Sequence, residues 1–361
     1  MKLKTLLAAL IILCSGWQQP ATPRTMIQNE RATRVRQQPL RVENAVDIIK
    51  RLGVSFPTVN LLLKKNTDGT TGYYLKQVGG PVLIANNENF VFYPASTIKV
   101  IEHLHVMRGV LSGFTSLKSN LDIWDNSCSD NHKGELPVAK ETLSTALSLM
   151  MKQSNNQRTN AIQDRSGRAA INNTAHQAAG MSQSSAINHK FGCGGPTNNP
   201  ANSLTLADAG LLYEGVANGK LLSGTSRETF YQLMLNETDA FFIEYIIDEE
   251  ASKIGLPAVE RNKFKSQVKI AAKAGGIPAD YDGFLYESVA GYVSLPFLPD
   301  CKKPRRAGAV ARTEHRGFVY GVFINKATKI NGGTTGTAAS ELFRDQIREA
   351  LKTWKDCPSL N

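Results

Sequence analysis

The stretch Tyr93-Pro94-Ala95-Ser96-Thr97-Ile98-Lys99-Val100, running on through Ile101 to Met107 without a helix breaker, decides how this chain is read. Residues three apart on a helix share a face, so Ser96 and Lys99 are predicted to meet. A serine hydroxyl is a weak nucleophile until a neighbour takes its proton. A lysine amine does so once burial or nearby positive charge lowers its pKa. Pro94 suits the turn before such a helix because its φ is already set for it. Alone, S-x-x-K recurs by chance in chains of this length, so the reading depends on the motifs downstream of it.

Two such motifs occur, in order. Ser154-Asn155-Asn156 stands at the end of a helix expected over 141–152, where Leu143, Ala146, Leu147, Met150 and Met151 form an apolar stripe at helical spacing. A turn there can project a hydroxyl and an amide into a cleft, although Ser and Asn are ordinary turn residues as well. Lys273-Ala274-Gly275-Gly276 comes after Val268-Lys269-Ile270-Ala271-Ala272, which reads as a strand running into a glycine-rich edge. A lysine there can hold an anion, and Gly275 and Gly276 let the backbone come close to a neighbour.

S-x-x-K, S-x-N and K-x-G in this order resemble the active-site set of class A β-lactamases and penicillin-binding proteins. The resemblance spans roughly residues 55–355. It takes in Leu204 to Asp208 and Asn218-Gly219-Lys220-Leu221-Leu222, similar to that family's long helix and the turn ending it. Strands around 284–295 and 317–325, then a helix from about 338 to 354, match its closing elements. The implied fold is α/β of the β-lactamase/transpeptidase type, an antiparallel sheet flanked by helices with an all-helical lobe. The implied roles are Ser96 as the acylated nucleophile, Lys99 as its proton acceptor and Ser154 as the relay to the leaving group. Asn156 would hold the substrate's amide side chain, and Lys273 would support the substrate carboxylate. The backbone N–H groups of Ser96 and Gly276 would form the oxyanion hole, with Gly275 lining the binding edge. No cofactor or metal is implied, and His103 and His105, two apart, point to different sides of their helix.

Two departures from the family matter. Its β-lactamases carry an omega-loop glutamate that activates the deacylating water. Between Gln157 and Tyr213 the only acidic residues here are Asp164 and Asp208, both read as helical and misplaced. The loop, Ala186-Ile187-Asn188-His189-Lys190-Phe191-Gly192-Cys193-Gly194-Gly195-Pro196, has no Glu. His189 is the candidate substitute base, against the plainer reading of a structural residue in the loop. Gly192 or Cys193 is where a glutamate would be restored. Secondly, Ala274 replaces the hydroxyl residue of K-[ST]-G, which weakens carboxylate recognition or implies a substrate without one. The expected function is therefore an exported serine hydrolase acting through an acyl-enzyme on Ser96, on an amide or ester such as a β-lactam or D-alanyl peptide. The alternatives are a true β-lactamase with an unconventional deacylation base, and a β-lactam-binding sensor that acylates without turnover.

The rest of the chain fits export. Residues 1–16 read as a signal peptide: Met1-Lys2-Leu3-Lys4 is basic, Leu6 to Leu13 is apolar, and Cys14-Ser15-Gly16 is small. Lipid anchoring at Cys14 is the lesser alternative, because Leu13 is bulky where a small residue is wanted. Residues 17–40, rich in Gln, Thr, Pro and Arg, read as a disordered linker. The hydrolase domain would occupy 41–361, opening with a helix through Val42, Ala45, Val46, Ile49 and Leu52, then strands at 59–63 and 82–92. Of the cysteines, Cys128, Cys193, Cys301 and Cys357 would remain after processing. An even count in an oxidising compartment implies disulfides, and the resemblance implies Cys128–Cys193 and Cys301–Cys357. A secreted or periplasmic location follows.

The formal net charge of +11, with a cluster at Lys302-Lys303-Pro304-Arg305-Arg306, allows adhesion to an anionic envelope surface; a solvated face that binds nothing is the plainer reading. No aromatic-interleaved or groove-fitting pattern for nucleic acid occurs. The expected partner is a small-molecule or peptide substrate, met by a monomer.

Overall fold

Strands whose side chains alternate between two separate cores form the frame of this molecule. A computed structural model describes residues 58–234, 237–298 and 313–357. The expected signal peptide, linker, helix from 41, Cys14, Cys301 and the 302–306 cluster lie outside the described residues.

The chain enters through α1 (Thr58–Asn66), β1 (Thr70–Gln77) and β2 (Val82–Asn86). The strand expected at 59–63 is thus a helix. Val59, Leu62 and Leu63 are its buried residues, at the i, i+3, i+4 spacing of one helical face. The strand lies instead at 70–77, where Gly72 and the flanking turn residues obscure it. The strand expected at 82–92 ends at Asn86. A 3₁₀ turn (Ala95–Ile98) leads into α2 (Lys99–Leu111). A short hairpin, β3 (Asn120–Ile123) with β4 (Ala139–Thr142), precedes α3 (Leu143–Lys152), α4 (Asn156–Ser166) and α5 (Arg168–Asn173). Thr142 caps α3 by accepting from the Thr145 N–H, and Asn155 caps α4 by accepting from the Arg158 N–H.

After a long loop come α6 (Leu206–Ala217), α7 (Gly224–Gln232), α8 (Glu237–Lys253) and α9 (Ala258–Gln267). The sheet then closes with β5 (Lys269–Ile277), β6 (Leu285–Phe297) and β7 (Glu314–Ala327), followed by α10 (Thr334–Leu342) and α11 (Arg344–Lys355). The single C-terminal helix expected at 338–354 is two helices that meet at Phe343. That ring is fully buried and packs edge-on against Phe318 and Tyr320.

The five strands are antiparallel in the order β2-β1-β7-β6-β5. Alternation splits β5: Ala271 joins the core shared with α2, α3, α4 and α6, while Ile270 and Ala272 join the core under α8 to α11. Period two then puts Lys273 and Gly275 on the Ala271 face, toward the helix that carries Ser96. No helix among the described residues is long and apolar enough to cross a membrane.

Candidate active site

Two residues in the left-handed backbone region flank the site, and neither is glycine. Ala95 has φ +48° immediately before Ser96, and Ser154 has φ +57°. Such conformations cost of order 1–3 kcal/mol each and persist only where surrounding packing holds them. Here the packing is identifiable. The Ser288 hydroxyl donates to the Pro94 carbonyl at 2.6 Å and lies 2.7 Å from the Thr97 hydroxyl, and Thr97 Oγ1 donates to the Lys273 carbonyl at 3.1 Å. These buried bonds tie the turn bearing Ser96 to β5 and β6. Gly275 makes the approach achievable: a Cβ there would lie 2.5 Å from the Ser96 nitrogen and 2.8 Å from the Pro94 oxygen. The K-x-G glycine is thus required by the nearness of the two backbones, and Ser96 N–H stands beside the strand that carries Gly276.

The expected site residues converge. Ser96 is half-buried at the start of the 3₁₀ turn. Lys99 is fully buried, and its Nζ donates to Asn156 Oδ1 at 2.6 Å and to the Ser154 carbonyl at 2.8 Å, with Ser154 Oγ at 3.5 Å. Lys273 comes from the opposite wall and donates to Ser154 Oγ at 3.0 Å and to the Ala274 carbonyl at 2.6 Å. Ser154 Oγ therefore lies between two lysines.

The long loop is fastened at two points to α4 and at a third to the connection between β3 and β4. Asn160 clamps the Phe191 backbone, accepting from its N–H at 2.8 Å and donating to its carbonyl at 3.0 Å. Lys190, 3% exposed, pairs with Asp164 at 2.5 Å. Cys128 and Cys193 form the expected disulfide, with Cα atoms 5.6 Å apart. Cys357 is also disulfide-bonded, while Cys301 lies outside the described residues. Asp164 serves the loop, and Asp208 accepts three hydrogen bonds, from the Ser182 N–H and the hydroxyls of Ser182 and Ser185. Neither carboxylate is bonded to Lys99 or Lys273 in these interactions.

Phe191 reaches the site from this loop, its ring centred 4.9 Å from Lys99 Nζ. Gly192, one of the two positions expected to take a restored glutamate, lies against Asn156. Gly192 has φ +76°, and a Cβ on it would meet the Asn156 amide at 2.9 Å; Cys193 is committed to its disulfide. His189 donates from Nδ1 to the Lys190 carbonyl at 2.8 Å, which assigns the tautomer, and its ring stacks on Tyr93. Burial lowers its pKa below the ordinary histidine range, and its Nε2 is enclosed without a hydrogen-bond partner. His103 is bonded to the Phe230 carbonyl and His105 to the Thr174 hydroxyl, so the two do serve different sides of α2. No cluster of His, Cys, Asp or Glu among the described residues is suited to hold a metal ion.

Sequence reasoning passed over Thr97, Ser288, Asn160 and Phe191. Thr97 sits inside S-x-x-K as an unmarked spacer, and the others act through contacts between distant segments that no local pattern announces.

The model of the β-lactamase enzyme family matches residues 57–345. No curated protein matches the chain. Among solved structures it is similar to a β-lactamase from Chitinophaga pinensis, with TM-score 0.60 and 19% identity over 80% of this chain and 98% of that one. A β-lactamase from Sphaerobacter thermophilus gives TM-score 0.59 and 18% identity over 85% and 100%. A mutant of PBP-A, in an acyl-enzyme complex with penicillin G, gives 0.55 and 20% over 83% and 95%. At such identities the likeness speaks for the fold, which is of the β-lactamase/transpeptidase type. With a family match across most of its length and the three motifs gathered at one site, this chain belongs to the β-lactamase enzyme family.

Proposed function

We propose that this protein is an exported serine hydrolase that forms an acyl-enzyme on Ser96 from an amide or ester such as a β-lactam or D-alanyl peptide. The observation that carries the reading is the joining of Lys99, Ser154, Asn156 and Lys273 in one hydrogen-bonded network beside Ser96. Ser96 Oγ attacks the substrate carbonyl as its proton passes to Lys99 Nζ. Ser154, between the two lysines, returns a proton to the leaving nitrogen or oxygen. The N–H groups of Ser96 and Gly276 receive the developing oxyanion. Asn156 holds the substrate's amide side chain, and Lys273 supports an anionic group. With Ala274 in place of a hydroxyl residue, that anion is held by charge more than by hydrogen bonding. Residues 1–16 would direct export, 17–40 would link, and the hydrolase would occupy 41–361 in a secreted or periplasmic location.

Phe191 favours slow release of the acyl group. An aromatic ring beside Lys99 supplies no base for water, so the acyl-enzyme is expected to outlast its formation. His189, neutral and with a free Nε2 lone pair, is the residue to replace if turnover is fast.

Fluorescent penicillin, a chromogenic cephalosporin and intact mass test the reading together. Ser96→Ala should abolish labelling while keeping the fold. Lys99→Met should slow acylation by about a hundredfold or more, the usual loss of a positioned base. A Ser96→Ala protein that still labels would remove Ser96 from the mechanism.

A further inference from the structure

Behind Lys99, one helical turn along α2, stands Glu102, with no exposed surface at all. It faces Gln163 of α4, which is 3% exposed. Gln163 Nε2 donates to Glu102 Oε1 at 2.9 Å. That single bond leaves two oxygens, Glu102 Oε2 and Gln163 Oε1, enclosed without partners. Two acceptors cannot satisfy each other, and enclosed polar atoms without partners are rare in folded proteins because each has given up its water. One proton on Glu102 would remove both vacancies, with Oε2–H donating to Gln163 Oε1 while Gln163 Nε2–H continues to donate to Oε1. The carboxylic acid and the primary amide then form a closed ring of two antiparallel hydrogen bonds.

We propose that Glu102 is held un-ionised by this ring with Gln163, and that it acts as a positioning residue through Lys99. An uncharged Glu102 places no anion one turn behind Lys99, where a carboxylate would hold the lysine as an ammonium ion and prevent it from taking the Ser96 proton. This rests on the role of Lys99 proposed above.

Burial raises the Glu102 pKa to about 8, and the Gln163 bond and the Lys99 charge only partly oppose that rise. Among the described residues Lys99 supplies the charge that acts on it. The other titratable side chains of α2 and α4 have hydrogen-bond partners other than Glu102, among them Arg108 on the Leu221 carbonyl and Arg165 on the Asn120 carbonyl. His103 bonds Phe230 and His105 bonds Thr174, while on α4 Asp164 pairs with Lys190 and His132, and Arg158 pairs with Glu141.

The infrared spectrum of the full chain in heavy water tests the protonation directly. A carbonyl band of an un-ionised carboxylic acid should be present at pH 7, be absent from Glu102→Gln, and vanish in the wild type as pH rises past about 8. The link to Lys99 is read from penicillin acylation against pH. Normalised at neutral pH, the ratio of Glu102→Gln to wild type should rise about tenfold one unit above the Glu102 pKa, because only the wild type acquires the anion. Absence of the acid band, or a flat ratio, would overturn the proposal. So would a Glu102→Gln protein that acylates normally but no longer releases its acyl group, since Glu102 would then be working as an ionised base. Should that variant not fold, the wild-type band and its loss with pH decide the matter. Lys99→Met run alongside keeps the two ideas apart: normal acylation by it would remove the base role of Lys99, while the band still reports on Glu102.

Discussion

Phe191→Glu should shorten the lifetime of the penicillin adduct on this protein. The ring is 5% exposed and lies 4.9 Å from Lys99 Nζ, so a glutamate there carries its carboxylate into the same place. Removing a buried phenylalanine side chain costs about 3–5 kcal/mol. At about 5 Å and an effective dielectric of about 20, attraction to the Lys99 ammonium returns about 3 kcal/mol. The variant should therefore fold, with a lower midpoint in thermal unfolding. The same attraction raises the Lys99 pKa by about two units, slowing acylation by about a hundredfold at neutral pH. Deacylation gains a positioned base, typically worth about 10²–10⁴. Intact mass after a penicillin pulse measures both, as the rate of adduct appearance and its lifetime. Phe191→Gln, similar in size but without the charge, should shorten nothing. A folded Phe191→Glu protein that acylates and holds its adduct as long as the wild type would refute the placement of Phe191 at the acyl group.

Gly275→Ala puts a Cβ 2.5 Å from the Ser96 nitrogen. A shift of about 1 Å in a reacting group costs about a hundredfold, so acylation should fall by that much and overpacking should lower stability by about 1–3 kcal/mol; normal labelling kinetics would show that the two backbones are not so close. Replacing both Cys128 and Cys193 by serine opens a link across a sequence separation of 65. Loop-closure entropy puts the loss at about 4 kcal/mol, to be measured by urea unfolding against the same protein with its disulfide intact. Stability against pH reports on Glu102 in a second way. Its folded-state pKa is raised from 4.5 to about 8. Its stabilising contribution is thus complete below about pH 4.5 and is lost as pH rises through about 8. Between those limits the wild type should lose stability relative to Glu102→Gln by up to about 1.4 kcal/mol per pH unit. His103, lowered by burial to about 4, acts in the opposite sense in acid and cancels between the two proteins. A constant difference across that range would mean that Glu102 is ionised when folded.

The errors in reading secondary structure have a common source. Val59, Leu62 and Leu63 look like part of a strand because they are apolar and close together, yet only their burial against the far side of the sheet marks the helical period. Thr70–Gln77 carries no clear strand pattern, because glycine and polar residues surround Tyr73 and Tyr74; pairing with β7 makes it a strand. The 338–354 segment reads as one helix because nothing in Phe343 breaks a helix locally, and packing on Phe318 and Tyr320 turns it into two.

By itself the sequence determined the chemistry on offer: which residues carry a hydroxyl, an amine or an amide, at which helical and strand spacings, and in what order. Ser96, Lys99, Ser154, Asn156 and Lys273 were legible because S-x-x-K, S-x-N and K-x-G are local patterns, and the missing omega-loop glutamate was legible because absence of a residue type can be read directly. Tertiary structure alone decided that Phe191 faces Lys99, that Ser288 and Thr97 hold the turn bearing Ser96 to β5, and that Glu102 meets Gln163 behind the lysine. Glu102 and Gln163 are 61 positions apart in the chain, and Thr97 and Ser288 are 191 apart. Local periodicity says which face of an element is buried; which partner that face meets depends on how the sheet and helices close around the core, and no run of neighbouring residues carries that information.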